Sequence, residues 1–206
     1  AARQASDDPE VHRRILNEVV KRIPAMDLDN SPAALSLALY QLTAEISGNA
    51  DPYREVKRAQ NSMALALESE LRALIRQSPD PLEAALHLAA AGNVIDLGTM
   101  NAEAIDIRAA IDAVMHQRSA VDHSAVFRQS LASCRDLLYL LDNAGEIVFD
   151  KLLIEELLKQ TPVTAVVKAG PIINDALLED AEQVGLTALC EVIDNGGAFV
   201  GCPLKL

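Results

Sequence analysis

Oxygen-bearing side chains follow each of three short apolar runs in the second half of the chain. The runs cover residues Leu137 to Leu141, Val163 to Val167 and Ala188 to Ile193. The polar residues behind them are Asp142 and Asn143, then Lys168, Asn174 and Asp175, then Asp194 and Asn195. Two carboxylates with one or two amide oxygens suit Mg²⁺ or Mn²⁺ better than a softer ion bound by thiolate or imidazole. The sequence therefore predicts a divalent-metal site, provided that the three runs end at one edge of one sheet.

The segments between the runs make that common edge expected. The stretches from Glu146 to Lys159 and from Ala176 to Val184 have the apolar spacing of amphipathic helices. The order is β-α-β-α-β, which implies adjacent, parallel strands covered on both faces. Ligands of open parallel sheets collect beyond the carboxyl ends of the strands. The side chains behind the strands are therefore expected to converge.

A helix N-terminus is expected beside the same residues. Gly145 and Glu146 begin the first of these helices, whose free N–H groups and positive dipole end would attract an anion such as phosphate. A metal next to a phosphate indicates phosphoryl chemistry. Plainer roles remain open, since Asp and Asn also cap helices and form turns: Asp175 as a cap, Lys168 as a solvated strand end, and Asp194 with Asn195 as a turn.

The first half of the chain reads as a helical bundle. Asp or Ser precedes Pro at four places where apolar periodicity begins, which is the pattern of a helix N-cap followed by Pro at the first helical position. The four pairs are Asp8-Pro9, Ser31-Pro32, Asp51-Pro52 and Asp80-Pro81. The third helix is expected from about Pro52 to Gln77, the fourth is expected to stop at Gly92, and a further helix is expected from Ala102 to Met115. We therefore predict a helical domain over residues 1–120 and an α/β domain over residues 121–206.

Composition narrows the class of protein. The chain has 206 residues, of which 50% are apolar and only 3% aromatic, so Leu, Ile, Val and Ala must fill the core, as in helices and buried parallel strands. The net charge of −12 argues against nucleic acid as a partner, because such binding needs clustered Lys and Arg. No apolar stretch approaches the roughly 18 residues of a membrane span. We expect a soluble cytoplasmic protein.

Cysteine and histidine give no metal pattern. The three cysteines lack Cys-x-x-Cys spacing, which favours incidental thiols over a disulfide framework or a zinc site. The four histidines are scattered and never pair at i, i+4, so histidine ligation is not expected.

Four segments of the sequence together form a specific pattern. They are Asp142-Asn143-Ala144-Gly145-Glu146-Ile147-Val148-Phe149-Asp150, Pro171-Ile172-Ile173-Asn174-Asp175-Ala176, Gly92-Asn93-Val94-Ile95-Asp96, and Asp51-Pro52-Tyr53 with Lys57 and Asn61. This pattern resembles the signature of the DUF89 family of damage-control phosphatases, in particular its prokaryotic subfamily. Together the four segments cover nearly the whole chain.

The resemblance implies a mostly helical N-terminal domain packed on a Rossmann-like parallel sheet. It implies a metal-dependent phosphatase that hydrolyses phosphate monoesters of small metabolites, such as sugar phosphates or damaged phospho-metabolites, with Mn²⁺, Mg²⁺, Co²⁺ or Ni²⁺. The implied metal ligands are Asp142, Asn143 and Asp175, and Asp142 and Asp175 are the candidate catalytic residues. The implied substrate-binding residues are Asn93, Asp96, Glu146, Lys168 and Asn174.

Two departures from the family pattern and two alternatives accompany this prediction. Family members typically begin with a Cys-x-x-Cys segment and continue past Cys202-Pro203, so the chain is expected to be shortened at both ends. A non-catalytic metal- or nucleotide-binding protein of the same fold is the first alternative. A methyltransferase is the second, although only Gly145 stands where it needs a glycine-rich turn. The nucleophile, either water or an Asp carboxylate, remains open.

Overall fold

The structure is a computed structural model that describes residues 1–27, 29, 31–94, 111, 113–114 and 121–198. Residues Asp96 and Cys202, and nearly all of the helix expected from Ala102 to Met115, lie outside these ranges. The helices are α1 Ala2–Ala5, α2 Pro9–Arg22, α3 Pro32–Ser47, α4 Arg54–Gln77, α5 Pro81–Val94, α6 Ser124–Ser133, α7 Glu146–Leu157 and α8 Leu178–Gln183. The strands are β1 Leu137–Leu140, β2 Val163–Val167 and β3 Glu191–Asp194, and short 3₁₀ turns cover Ile23–Ala25 and Leu186–Ala188.

Side-chain caps explain where several helices begin. The Asp8 carboxylate accepts the Glu10 N–H at 2.8 Å, and Pro9 is the first residue of α2. The Asp80 carboxylate accepts the Glu83 N–H at 3.1 Å at the start of α5. These two predicted caps are confirmed. At the third place the Asp51 carboxylate accepts the Tyr53 N–H at 3.2 Å, and α4 begins only at Arg54, two residues later than expected.

The three described strands form a parallel sheet in the order β1-β2-β3. Leu137 pairs with Val163, and Thr164 pairs with Glu191. Helix α7 lies between β1 and β2 along the chain, and α8 lies between β2 and β3. The predicted parallel order of adjacent strands is therefore confirmed.

The expected coverage of both sheet faces does not hold at β1. Leu137 and Tyr139 pack against the core, whereas Leu138 and Leu140 on the opposite face are 66% and 69% exposed. Two crossovers of the same hand that advance in one direction across a sheet put their helices on the same face. Residues from α7 and α8 accordingly belong to one core cluster with the inward side chains of β2. Val166 of β2 lies on the same face as Leu140 and is 8% exposed, so this face is open at β1 and covered at Val166.

One core joins the helical half to the sheet. Leu71 and Ile75 of α4 belong to the same buried cluster as Ile147 and Leu152 of α7. Helix α5 packs along α7, and α4 packs against both α7 and α8. The division at residue 120 remains a prediction, but the packing means that α4 and α5 position the strand ends. None of the helices that the structure describes is long and apolar enough to cross a membrane.

Gly92 does not end α5. The helix continues to Val94, and Gly92 lies inside it against Phe149 of α7. A methyl group on Gly92 would lie 2.9 Å from Phe149 Cβ and 3.0 Å from Phe149 Cγ. Glycine is needed here for the close approach of two helices, not for a left-handed turn, which corrects the expectation from sequence.

We therefore predict that Gly92→Ala destabilises the protein by about 1–2 kcal/mol in urea unfolding, because overpacking a core contact costs more than the helix propensity gained. The control is Ala90→Gly, at an exposed position of the same helix, which is expected to lose only about 0.5–1 kcal/mol of propensity. A stabilising Gly92→Ala would contradict the close contact.

Candidate active site

The two predicted ligand loops are hydrogen-bonded directly to each other. Asn143 and Asp175 form an isolated antiparallel β-bridge. The Ala144 N–H donates to the Asn174 carbonyl at 2.8 Å, and the Ala176 N–H donates to the Asp142 carbonyl at 2.7 Å. The structure therefore brings the predicted ligands Asp142, Asn143 and Asp175 onto two neighbouring backbone segments.

These residues differ in burial and charge. Asp142 is exposed, Asn143 is half-buried and Asp175 is 6% exposed. Burial raises the pKa of Asp175 to about 6, the Lys168 ammonium opposes this rise, and the Asp142 charge adds to it. Lys168 Nζ lies 3.4 Å from Asp175 Oδ2, so its role as a merely solvated strand end is wrong. A cation between Asp142 and Asp175 would offset the repulsion that adds to the effect of burial on the pKa of Asp175.

The donor chemistry fits a hard divalent cation. The Asn143 amide NH₂ donates to Asp142 Oδ2 at 3.1 Å and to Glu146 Oε2 at 3.5 Å, so the amide oxygen is the atom that remains for a cation. Within the described ranges no three Asp, Glu, His or Cys side chains are grouped so as to hold a metal ion. The predicted set contains two carboxylates and an amide, so water or substrate oxygens would have to complete an octahedral shell.

The helix N-terminus beside this site is less available than the sequence suggests. The Gly145 N–H donates to Asn61 Oδ1 at 2.7 Å, the Ile147 N–H donates to the Asn143 carbonyl, and the Val148 N–H donates to the Gly145 carbonyl. The expectation that this helix start offers a set of free N–H groups to an anion is therefore wrong. The dipole of α7 still favours negative charge near its first turn.

The third loop forms a turn. The Asp194 carboxylate accepts the Gly196 N–H at 2.9 Å, and the Asn195 amide oxygen accepts the N–H groups of Ala169 and Gly197 at 3.1 Å and 3.2 Å. The plain-turn interpretation of Asp194 and Asn195 is confirmed. Asn195 acts on the site only by fixing the loop that follows Lys168.

A groove of about 480 Å³ runs past Asp142 along β1. Two of the predicted substrate-binding residues, Asn93 and Glu146, line it together with Asp142. Asn174 lies in the ligand loop, where its carbonyl accepts the Ala144 N–H. The structure thus places Asn93, Glu146, Lys168 and Asn174 around the predicted ligands.

A buried acid lies at the bottom of this groove. Asp150 is 4% exposed, and its Oδ1 accepts the Tyr139 hydroxyl at 2.6 Å. Burial raises the pKa of Asp150 to about 8, with the charges of Glu146 and Asp142 adding to the rise. Burial also raises the pKa of Tyr139 above its usual range. At neutral pH the pair therefore holds a protonated carboxyl and a protonated phenol next to the exposed carboxylates.

A buried polar network on α4 supports both ligand loops. Asn61 is fully buried, and its amide NH₂ donates to Asp180 Oδ1 at 2.9 Å while its oxygen accepts the Gly145 N–H. Asp180 Oδ2 accepts the Leu177 N–H at 2.9 Å, two residues after Asp175. Lys57, which is 1% exposed, lies 3.4 Å from Asp180 Oδ2. One helix of the N-terminal half therefore fixes the start of α7 and the end of the second ligand loop.

The sequence analysis names Lys57, Asn61 and Asp150 only as parts of the family signature and predicts no role for them. A signal for the first two was present in the sequence. Lys57 and Asn61 lie in helical phase with Ala64, Leu71 and Ile75, so they occupy the buried face of α4. Polar residues in phase with a core stripe must be partnered by other buried polar groups.

The fold and this site together define a helical protein whose small parallel sheet carries oxygen-bearing side chains in the loops beyond its strand ends. A family model described as the damage-control phosphatase ARMT1-like domain matches residues 1–206. The chain therefore belongs to the damage-control phosphatase ARMT1-like family, also called DUF89.

Individual relatives agree. A damage-control phosphatase of Pyrococcus horikoshii is 30% identical over 205 residues, covering 98% of this chain and 70% of the relative. A damage-control phosphatase of Archaeoglobus fulgidus is 29% identical over 206 residues, covering 97% of this chain and 70% of the relative. A crystal structure of a DUF89 family protein from Pyrococcus horikoshii matches with a TM-score of 0.87 and 32% identity, covering 100% of this chain and 72% of that one.

The raised pKa of Asp150 gives a test by pH. A carboxyl whose pKa is raised from 3.8 to about 8 keeps its proton in the folded state and loses it in the unfolded state, so stability falls as pH rises through this window. Between pH 6.5 and 8 the unfolding free energy of the wild type should fall by roughly 1 kcal/mol per pH unit from this group. Asp150→Asn should remove this fall in urea titrations. Parallel pH profiles for the two proteins would refute the protonated buried acid.

We predict that removing a buried side chain of the α4 network lowers the free energy of unfolding far more than removing its exposed neighbour on the same helix. Asn61→Ala leaves the buried Gly145 N–H without its acceptor and removes one hydrogen bond from Asp180, which keeps Lys57 and the Leu177 N–H; the loss should cost about 2–4 kcal/mol in urea unfolding. Ser62→Ala removes exposed hydrogen bonds, one donated to the Arg58 carbonyl and a longer one accepted from the Gln183 amide, and should cost less than about 0.5 kcal/mol. Equal losses in the two variants would contradict the bridging role of Asn61.

Proposed function

We propose that this protein is a metal-dependent phosphatase that hydrolyses phosphate monoesters of small metabolites. The relatives named damage-control phosphatases support the phosphatase role. The observation that carries the metal-dependent form of this proposal is the backbone pairing that puts Asp142, Asn143 and Asp175 side by side, with Lys168 3.4 Å from Asp175. Such a site would bind a cation at the two carboxylates and the amide, and a phosphate anion beside Lys168. Phosphoryl transfer uses a cation and a phosphate held together in this way.

Each residue has a role in this proposal. Asp142, Asn143 and Asp175 would hold Mn²⁺, Mg²⁺, Co²⁺ or Ni²⁺, and the ion when bound would supply Lewis-acid polarisation of a phosphoryl oxygen. Lys168 would neutralise phosphate charge. Glu146 and Asn93 would contact the substrate from the groove, and Asn174 would contact it from the ligand loop. The small parallel sheet would be one half of a Rossmann-like sheet.

The reaction replaces one P–O bond with another. An oxygen nucleophile attacks phosphorus, the ester P–O bond breaks, and the alcohol leaves with a proton. The nucleophile is either water, which gives inorganic phosphate directly, or the exposed carboxylate of Asp142, which gives an acyl phosphate that water then hydrolyses. Trapping an acyl phosphate on Asp142 distinguishes the two routes.

The proposal is tested by phosphate release from hexose phosphates and p-nitrophenyl phosphate with Mn²⁺. Asp142→Ala should lower kcat by at least about 100-fold, because it removes a ligand at the reacting phosphate. The matched control is Asp194→Asn, which alters an acid of the third loop and keeps the acceptor of its turn. It should retain wild-type activity.

Removal of the metal should act in the same way as removal of Asp142. Chelation with EDTA should abolish phosphate release, and added Mn²⁺ should restore it in the wild type alone. If the wild type binds Mn²⁺ in a thermal-shift titration but releases no phosphate from any ester, the non-catalytic alternative is correct. Activity that survives in Asp142→Ala would refute the proposed centre.

A further inference from the structure

Asp150 is a buried carboxyl group in the same groove as the proposed metal ligand Asp142. Both residues line the groove of about 480 Å³, together with Glu146 and Asn93. Asp150 follows Glu146 by four residues in α7, so the two side chains lie on one face of the helix, one turn apart. Asp142 stands in the loop that leads into this helix. Asp150 and the proposed catalytic centre therefore share one space.

The surroundings of Asp150 favour its neutral, protonated form. The residue is 4% exposed, and no cation of the described ranges offsets its burial. The charged groups that reach it are Glu146 from its own helix and Asp142 from the loop after β1, and both oppose a further negative charge. The described groove residues that come from α5 and α6 are uncharged, namely Leu86, Asn93 and Phe127. Asp150 therefore carries a proton that it can donate at neutral pH.

Tyr139 determines which oxygen of Asp150 holds that proton. Its hydroxyl donates to Asp150 Oδ1 at 2.6 Å, and Tyr139 also lines the groove. Because Oδ1 is the acceptor of this hydrogen bond, the proton of the acid belongs on Oδ2. Once that proton leaves, the Tyr139 hydroxyl remains as a donor to the carboxylate, and hydrogen bonds to a charged group are the stronger ones. The phenol therefore stabilises the form of Asp150 that proton donation produces.

Hydrolysis of an alkyl phosphate needs such a donor. When the ester P–O bond breaks, the alcohol oxygen keeps the bonding electrons, and an alkoxide leaves poorly unless an acid protonates it in the transition state. In the proposed function Asp142, Asn143 and Asp175 bind the cation, and Lys168 binds the phosphate. Asp150 is thus an acid of the groove to which that function assigns no role.

We propose that Asp150 is a further catalytic residue, the general acid that protonates the departing alcohol, and that Tyr139 positions it. The inference rests on the proposed function and adds to it the source of the proton for the leaving group. As the nucleophile bonds to phosphorus, the ester P–O bond breaks and the Oδ2 proton of Asp150 moves to the alcohol oxygen. The water consumed in the reaction releases a proton to solvent, and Asp150 takes one back from solvent before the next turnover.

The test compares phosphate esters whose alcohols differ in their need for a proton. p-Nitrophenol leaves readily as its anion, phenol leaves less readily, and a hexose hydroxyl leaves poorly without protonation. With Mn²⁺, Asp150→Asn should lower kcat at least about 100-fold for a hexose phosphate and at most about three-fold for p-nitrophenyl phosphate. The loss for phenyl phosphate should lie between these values. A purely structural role of Asp150 would lower kcat for all three esters by the same factor.

Glu156→Gln is the matched control. It makes the same change from acid to amide in α7, at a residue outside the groove lining. The ratios among the three kcat values should stay as in the wild type. Asp150→Asn retains an oxygen that can accept the Tyr139 hydroxyl, and melting curves with near-UV circular dichroism establish that both variants are folded.

The dependence of kcat on pH is a second readout. A general acid must be protonated, so kcat for phenyl phosphate should fall above the pKa of Asp150, which burial raises to about 8. Asp150→Asn should lack this fall. Tyr139→Phe removes a donor to the carboxylate, which favours the protonated form, so the fall should move to higher pH. The same variant should lower kcat about ten-fold, the range of one hydrogen bond to a charged group.

The outcomes separate this inference from the proposed function. The expected result is a loss in Asp150→Asn that grows from p-nitrophenyl phosphate to phenyl phosphate to hexose phosphate. If the wild type is active and Asp150→Asn loses the same factor with p-nitrophenyl and phenyl phosphate, or loses nothing, Asp150 is not the acid and the phosphatase activity stands. If the wild type releases no phosphate from any ester, the proposed function fails and this role fails with it.

Discussion

Two backbone hydrogen bonds between loops are the constraint on which the site depends. They join the Ala144 N–H to the Asn174 carbonyl and the Ala176 N–H to the Asp142 carbonyl. They form an isolated antiparallel bridge beyond the ends of the parallel strands β1 and β2, in which Asn143 faces Asp175. The positions of the proposed ligands are therefore set by backbone geometry, and their side chains would need little ordering to bind a cation. The like charges of Asp142 and Asp175 are tolerated because the backbone holds them together.

The helical half provides buried hydrogen-bond partners for the backbone of the two loops. A β-to-α turn leaves N–H groups at the helix start that need partners, and the partner of Gly145 is the buried amide of Asn61 on α4. The same side chain reaches Asp180, which caps the start of α8. Buried polar groups of this kind stabilise one arrangement because any other leaves them unpaired. The helical half and the small sheet thus act as one structural unit at the site.

The sequence predicted the strands, their parallel order and the convergence of the two loops that carry Asp142 and Asp175, because strand ends of a parallel sheet must share an edge. It did not predict that the two loops are hydrogen-bonded to each other. It did not predict the role of Gly92, since close helix packing and a helix end both require glycine. It also missed the open face of β1 at Leu138 and Leu140, because an apolar strand reads the same whether one face or two are covered. The partners of Asn61 arise from contacts between distant segments, which no local pattern contains.

The central claim is that these two loops hold one divalent cation. The most direct measurement is anomalous scattering from crystals of the wild-type protein soaked in MnCl₂, collected on both sides of the manganese absorption edge. The account predicts one strong peak in direct contact with oxygens of Asp142, Asn143 and Asp175, absent from crystals of Asp142→Ala. A peak elsewhere, or no peak at saturating Mn²⁺ with these side chains ordered, would contradict it.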